Sequence, residues 1–444
     1  MQKTVSLHTL GCKLNYSETS GIAKQFQKSG ITLKEYGEKT DIFVLNTCSV
    51  TNNADKECKQ IIRSVIRNNP ETYVIITGCY AQLQPGEIAS IDGVDLILGT
   101  NEKFKLFDYI ENFDSENLSC FGKKHHADVF VSPLDGSDYI GEAYSSDVDS
   151  RTRAFLKIQD GCDYNCVFCT IPLARGKSRS LAIEKVIENA QKIIDSGYKE
   201  IILTGVNTGD YGFTDGEKNY EFLDVLYKLD KLDIKRIRIS SIEPNLLTDD
   251  IIDLVNSSSK FCNHFHIPLQ SGDSEILKKM HRRYNLDVFS RLIEKLNEKI
   301  DDVGIGCDVI VGFPGETEKH FENTFNFINS LKVSYLHEFS YSERRDTLAV
   351  ILDGKVEIKD RKLRSQLLRN LSNKKKFDFY LKHIGKTRDV LFESAKNGSI
   401  EGWTTNYIRV KTEYNKDFEN NILPVKLLEA NGTKYVSGIV ENKK

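Results

Sequence analysis

Ala154-Phe155-Leu156-Lys157-Ile158-Gln159-Asp160-Gly161-Cys162-Asp163-Tyr164-Asn165-Cys166-Val167-Phe168-Cys169 is a strand-like run that opens into a loop holding three cysteines. A cubane iron–sulfur cluster normally takes four thiolates, so a local set of three leaves one iron open to a small molecule. Zinc is the main rival. Structural zinc sites usually show paired knuckles or histidine partners, and no second pair follows at the expected distance. Packing alone explains three such cysteines poorly, and the loop is read as a cluster site.

Downstream, strands and helices keep alternating. Strand-like runs occur at 154–159, 200–204, 235–240, 263–268, 304–311 and 334–341, with helical stretches between them. Six βα units predict a curved parallel sheet, a full or partial barrel, over 151–354. Polar residues and glycines cluster at the strand ends: Thr204 and Asn207, Ser241 and Glu243, Gln270, then Gly312. Each could be a turn. As a set beside the cysteine loop they outline a pocket for one extended small molecule.

Upstream, residues 1–112 read as an open parallel α/β sheet. Three strands end alike: Val5–Leu10 runs into Gly11-Cys12, Ile42–Asn46 into Thr47-Cys48, and Tyr73–Thr77 into Gly78-Cys79. In a parallel sheet these ends share the carboxyl edge, where ligands bind. Cys12, Cys48 and Cys79 are therefore expected to converge on a second three-thiolate metal site. Small thiols also suit tight strand-to-helix turns, but the recurrence favours the metal site. Cys58, Cys120, Cys262 and Cys307 lack a strand-end context and are read as incidental.

Residues 113–150 turn polar and irregular, as a connection between domains does. Residues 355–383 are helical in pattern and carry ten basic residues against Glu357, Asp360 and Asp378, a local +7 in a chain whose net charge is −3. A charge run is usually a solvated face, but this imbalance suits phosphate contacts, with Lys374, Lys375 and Lys376 as candidates. Residues 384–444 show short strands with turn signals at Asn397-Gly398 and Asn431-Gly432, the pattern of a small β-barrel, where Arg409 and Lys411 are further RNA candidates. The N-terminus opens directly into a strand, no apolar run approaches the roughly 20 residues that span a bilayer, and the cysteines form no dense disulfide scaffold. A cytoplasmic protein without membrane contact is expected.

Nearly the whole chain resembles one family, the methylthiotransferases of the radical S-adenosylmethionine (SAM) superfamily. The resemblance rests on Thr9–Asn15, Asn46-Thr47-Cys48, Thr77-Gly78-Cys79, the C-x3-C-x2-C loop with Phe168, Ile171-Pro172 and Arg175-Gly176, His266–Gly272, and Asp308–Glu316. It implies an N-terminal domain whose Cys12, Cys48 and Cys79 hold an auxiliary 4Fe–4S cluster, a partial (β/α)6 barrel whose Cys162, Cys166 and Cys169 hold the SAM-cleaving 4Fe–4S cluster, and a C-terminal TRAM-like barrel that binds RNA. SAM contacts are assigned to Phe168, Thr204, Asn207, Ser241, Glu243, Gln270 and Gly312; no catalytic residue beyond the cluster ligands is named. The barrel interior is expected to be dry, to shield a radical.

Within the family, Asn46–Asp55 and Leu203–Asn207 resemble the branch acting on carbon 2 of N6-threonylcarbamoyladenosine at position 37 of tRNA. The implied partners are a tRNA anticodon arm, an electron donor such as a flavodoxin or ferredoxin, and a sulfur source, with the protein a monomer. One departure is Asp346, where relatives often have glycine; aspartate tolerates a left-handed backbone better than most residues. Alternatives are methylthiolation of isopentenyladenosine or of a ribosomal-protein aspartate, and, in another class, a non-catalytic iron–sulfur RNA-binding redox sensor.

Overall fold

The computed structural model describes residues 3–110, 122–124, 126–134, 140–144, 152–395 and 398–441; Cys120 and Asn397 lie outside them. The first body is a six-stranded parallel sheet of β1 (Thr4–Thr9), β2 (Thr32–Lys34), β3 (Ile42–Thr47), β4 (Tyr73–Gly78), β5 (Leu96–Leu98) and β6 (Asp128–Phe130), in the order β2-β1-β3-β4-β5-β6. Every residue of β3 and β4 is buried, as expected for central parallel strands with both faces covered. One face packs Val5, Ile22, Phe26, Ile42 and Val44 together, the other Phe43, Leu45, Val74, Ile76 and Tyr80. The sheet reaches past residue 112, because Asp128–Phe130 pairs with β5; three residues are too few to show a readable alternation.

The second body is a curved parallel sheet of β7 (Arg153–Lys157), β8 (Glu200–Thr204), β9 (Arg236–Ile239), β10 (His264–His266), β11 (Gly304–Val311) and β12 (Tyr335–Ser340). Strands β7-β8-β9 and β10-β11-β12 form ladders, joined by parallel bridges Ile237–Phe261 and Ser241–His266. No pairing between β7 and β12 is present among the described residues, so the barrel is partial. Helix α1 (Lys13–Lys28) of the first body lies beside β7, with Tyr16 stacked near Phe155 at 6.5 Å between ring centroids. The third body is a closed barrel in the order β13-β14-β15-β17-β16: β13 (Thr387–Phe392), β14 (Ser399–Thr404), β15 (Arg409–Glu413), β16 (Ile422–Asn431) and β17 (Tyr435–Val440). A 24-residue helix, Ile358–Leu381, leads into it.

Charge fills the lower lumen of the partial barrel. Along Arg236-Ile237-Arg238-Ile239 the isoleucines join the hydrophobic core and the arginines point inward. Arg238 Nε donates to Glu200 Oε1 at 2.7 Å, both side chains fully buried, and its guanidinium reaches the carbonyls of Thr404 and Thr405. Arg236 binds the carbonyls of Trp403 and Asp389. The third body is thus held against the amino-terminal edge of the barrel. Buried arginines and a glutamate occupy the lumen, because strand alternation places them on the concave face.

Candidate functional site

Cys12, Cys48 and Cys79 follow β1, β3 and β4, and the register Thr9–Asn46 and Thr47–Gly78 sets these strand ends side by side. Cys12 sits at the N-terminus of α1 and Cys79 opens a short helix. Gly11 has φ +99°, and a Cβ there would fall 2.8 Å from Cys48 Sγ, so only glycine lets the Cys12 turn close over Cys48. Burial pushes the Cys48 thiol up to about 12, and the neighbouring Cys79 and Cys12 add to the rise.

The second triad lies at the carboxyl edge of β7. Gly161 has φ +75°, and any Cβ would sit 1.9 Å from the Lys177 carbonyl oxygen. Three donors point at the three sulfurs: Tyr164 N–H to Cys162 Sγ at 3.4 Å, Ile171 N–H to Cys169 Sγ at 3.4 Å, and Arg282 Nη1 to Cys166 Sγ at 3.0 Å. Burial pushes Cys169 up to about 12 and Cys162 to about 11. Such thiols stay protonated at neutral pH on their own and are deprotonated by a metal that coordinates them. Two convergent thiol sets, one with an N–H or N⁺–H donor at each sulfur, fit iron–sulfur ligation.

Between the triads lies a cavity of about 250 Å³, lined by Val50 and Thr51 just after Cys48, by Phe168, Cys169, Thr170 and Ile171, and by Gln270, Asp308, Ile310 and Phe339–Ser342. Gln270 has φ +64°, a strained backbone for a residue with a side chain, of the kind that collects at ligand sites. Thr204 Oγ1 and Asn207 Nδ2 are buried with no hydrogen-bond partner among the described residues, an unmet demand that a polar ligand such as SAM can satisfy. Asn207 Oδ1 accepts from the Glu243 N–H at 3.3 Å, and the Ser241 carbonyl accepts from the Thr208 hydroxyl at 2.9 Å. Gly312 stands apart from the other candidates: a Cβ on it would meet the Arg361 side chain at 2.3 Å, and its N–H is taken by Glu316.

Arg282 is a site residue that strand-end reasoning passes over. Besides Cys166 it binds Glu243 Oε1 at 2.6 Å through Nη2. Burial pushes the Glu243 carboxyl upward, and Arg282 opposes that rise. The available signal was the cationic pair Arg282-Arg283 just past the His266–Gly272 motif. Arg344 is another. It binds Asp55 Oδ2 and Asn52 Oδ1 at 2.7 Å each and Ser49 Oγ at 2.6 Å, clamping the loop after β12 to the loop after Cys48. Beside this clamp a groove of about 460 Å³ is lined by Lys56, Lys59, Arg344 and Arg345 opposite Asp55, Glu87, Glu343 and Asp346, and it shares Thr170 with the cavity.

The basic candidates lie elsewhere, on the long helix and the third body. Lys374 is exposed, whereas Lys375 donates to the carbonyls of Asn329 and Leu331 at 3.1 and 2.8 Å. Lys376 Nζ is 5.6 Å from the centroid of Tyr380, Arg409 pairs with Glu401, and Lys411 Nζ is 5.1 Å from the centroid of Tyr435.

A partial (β/α)6 barrel with a three-cysteine loop at the carboxyl edge of its first strand defines a radical SAM enzyme. The Radical SAM superfamily profile matches residues 156–328, and that of the Uncharacterized protein family UPF0004 matches residues 4–99. The chain is 40% identical over 442 residues to the threonylcarbamoyladenosine tRNA methylthiotransferase MtaB of Bacillus subtilis (strain 168), covering 98% of this chain and 96% of the relative. It is 34% identical over 414 residues to the protein of the same name from Aquifex aeolicus (strain VF5), covering 93% and 97%. Against the tRNA-2-methylthio-N(6)-dimethylallyladenosine synthase of Endomicrobium trichonymphae the identity is 29%, covering 98% and 99%. Among solved structures, the radical SAM methyltransferase TsrM from Kitasatospora setae, with cobalamin and a 4Fe–4S cluster bound, superposes with a TM-score of 0.54 at 14% identity, covering 79% of this chain and 77% of that one, a likeness of fold. The chain belongs to the radical SAM methylthiotransferase family. Among the described residues no helix is long and apolar enough to cross a membrane.

Proposed function

We propose that this protein methylthiolates carbon 2 of N6-threonylcarbamoyladenosine at position 37 of tRNA. The observation that carries the reading is the cavity between the two cysteine triads, touched by Val50 and Thr51 on one side and by Phe168 and Cys169 on the other. Carbon 2 of adenine is an unactivated aromatic position with no easy polar route to it. When bound, SAM and the two 4Fe–4S clusters supply the radical and the sulfur-transfer chemistry, with Cys162, Cys166 and Cys169 holding one cluster and Cys12, Cys48 and Cys79 the other.

The chain's own residues bind, orient and shield. Arg282 fixes Cys166 and Glu243 together, and Thr204 and Asn207 offer their unmatched polar atoms to SAM. Phe168, Ile171 and Ile310 give the cavity an apolar wall that limits water around the reacting base. The Arg344 clamp keeps the N-terminal body over the cavity. The adjoining groove, polar and lined by four cationic and four anionic side chains, suits a polar threonylcarbamoyl group better than it suits a prenyl chain. Relatives named for the threonylcarbamoyl substrate are 34–40% identical, against 29% for the dimethylallyl synthase above. An electron donor of flavodoxin or ferredoxin type and a sulfur source complete the reaction, and Lys374, Arg409 and Lys411 are the phosphate contacts this reading favours.

Mass spectrometry of tRNA nucleosides tests it. Cells lacking the protein should lose 2-methylthio-N6-threonylcarbamoyladenosine, accumulate its unthiolated precursor, and keep 2-methylthio-isopentenyladenosine. Loss of the isopentenyl product instead would reassign the substrate. Intact tRNA with methylthiolation missing from a ribosomal-protein aspartate would move the enzyme off RNA.

A further inference from the structure

A fully buried charge network lies between the two cysteine triads. Its centre is Arg175, which ends the short helix Ile171–Arg175 that follows Cys169. Arg175 Nη1 binds Glu18 Oε1 at 2.9 Å and Asp160 Oδ1 at 2.8 Å, and Nη2 binds Glu18 Oε2 at 3.1 Å and Asn15 Oδ1 at 2.6 Å. Lys157 Nζ reaches Asp160 at 2.7 Å and Glu18 at 3.1 Å, and Lys103 Nζ pairs with Glu18 at 2.7 Å. None of these charged side chains is more than 3% exposed.

With its lysines protonated the network is not neutral: Arg175, Lys103 and Lys157 stand against Glu18 and Asp160, an excess of one positive charge (three minus two), and Arg179 lies 3.9 Å from Asp160. Burial, with Arg175 and Lys157 nearby, pushes the Lys103 ammonium down and Glu18 opposes this, so a further anion beside the network favours its charged form. An uncompensated buried charge costs several kcal/mol, so the excess calls for an anion close by. Asn15 points to it. The side chain that accepts from Arg175 also donates to the carbonyls of Leu10 and Thr47, one residue before Cys48, and its Oδ1 is 3.7 Å from Cys12 Sγ. A four-iron cluster on three thiolates carries net negative charge, and reduction adds more.

We propose that Arg175 is a positioning residue that ties the Cys12/Cys48/Cys79 loops to the barrel and, with Lys103, supplies the fixed positive charge that raises the reduction potential of a cluster bound there. The proposal rests on the assignment of a cluster to those three cysteines. Charge near a cluster is one of the factors that set its potential. The sign follows from Coulomb's law: a cation beside the site favours the more negative, reduced form.

The test uses full-length protein with Cys162, Cys166 and Cys169 replaced by alanine and reconstituted anaerobically with iron and sulfide, so that only the N-terminal site can carry a cluster. Redox titration followed by electron paramagnetic resonance gives the potential. Arg175→Gln should lower the reduced-to-oxidised ratio at a fixed solution potential by about tenfold, 59 mV for a one-electron couple. Arg175→Lys should restore most of it. Lys103→Met removes the excess charge without breaking the Arg175 contacts; it should fold, retain iron, and shift the ratio in the same direction by a smaller factor. Should Arg175→Gln fail to retain iron, Lys103→Met decides alone. Potentials equal to the parent's in iron-loaded Lys103→Met and Arg175→Gln would overturn the proposal. An iron-free triple-alanine background would overturn the site assignment beneath it, and the proposal with it.

Discussion

Asp346 has φ +65° on the rim of the groove beside the Arg344 clamp, and a non-glycine residue is held there against its backbone preference. The penalty for a left-handed L-residue is about 1–2 kcal/mol, less for aspartate, and glycine gives back part of the gain as unfolded-state entropy. Asp346→Gly should therefore stabilise by about 0.5 kcal/mol and Asp346→Val should destabilise by about 1 kcal/mol or more, read by thermal melting. Equal melting points for parent, Gly and Val would mean that the turn relaxes. The cysteines support a sharper test. Replacing Cys162, Cys166 and Cys169 by alanine should remove about half of the bound iron and all SAM cleavage, because each triad is proposed to hold its own cluster. The Cys12/Cys48/Cys79 variant should keep reductive cleavage of SAM and form no methylthio product. Methylthiolation at the parent rate by that variant would end the sulfur-transfer role of the N-terminal body. The placement of Cys12, Cys48 and Cys79 was legible because each follows a strand and a turn, and that of Cys162, Cys166 and Cys169 because all three share one loop. The contacts of Arg282, Arg344 and Arg175 were not legible, because their partners are 116, 295 and 157 residues away in the chain and no local period records such a contact.

Among the elements, the strands of the barrel were readable almost to the residue: Glu200–Thr204 and Gly304–Val311 lie where their apolar runs place them. Their polar members also carried a message, since the alternation Arg236-Ile237-Arg238-Ile239 already separates a core face from a charged lumen. The long basic helix shows the limit of counting charge. Ten cations in its stretch predict phosphate binding, but side chains on successive residues point in different directions around a helix. Lys374 faces solvent, while Lys375 is spent on two backbone carbonyls. Lys374→Gln should thus reduce tRNA affinity and flatten the slope of log K against log salt by about 0.7–0.9, leaving the melting point unchanged. Lys375→Gln should do the reverse, losing about 1–2 kcal/mol of stability with little change in salt slope. Filter binding over a salt series, with melting curves on the same samples, separates the two; identical behaviour of both variants would mean that the helix face has been misread.

Across the whole molecule, buried ion pairs join the bodies, and the junction between the barrel and the C-terminal body shows how firmly. Arg238 neutralises Glu200 and at the same time holds the carbonyls of Thr404 and Thr405, so one side chain serves both the lumen and the docking surface. Removing one partner of such a pair leaves a bare buried charge and costs about 3–5 kcal/mol, whereas removing both is much milder. Arg236, 3.8 Å from Glu200, remains as partial compensation and places Arg238→Met near the lower end of that range. The double variant Glu200→Gln with Arg238→Met should recover a large part of the loss, giving a coupling energy of about 1–3 kcal/mol in a double-mutant cycle. The pH dependence carries the same signature with opposite signs. In the parent, burial raises the Glu200 carboxyl, and Arg238 with its cationic neighbours more than offsets this, so the folded-state pKa lies below the ordinary 4.5. Its contribution to stability is therefore present above that value and lost as pH falls through the folded-state pKa. Without Arg238, burial dominates and the folded-state pKa rises, so the single variant should lose further stability as pH climbs past about 4.5 toward neutrality. Denaturant melts at pH 4 and pH 7 would read this directly, and limited proteolysis near Trp403–Tyr407 would report whether the C-terminal body has loosened. A single variant that is no less stable at pH 7 than at pH 4, relative to the parent at each pH, would mean that Glu200 finds another cation and that Arg238 does not govern the junction.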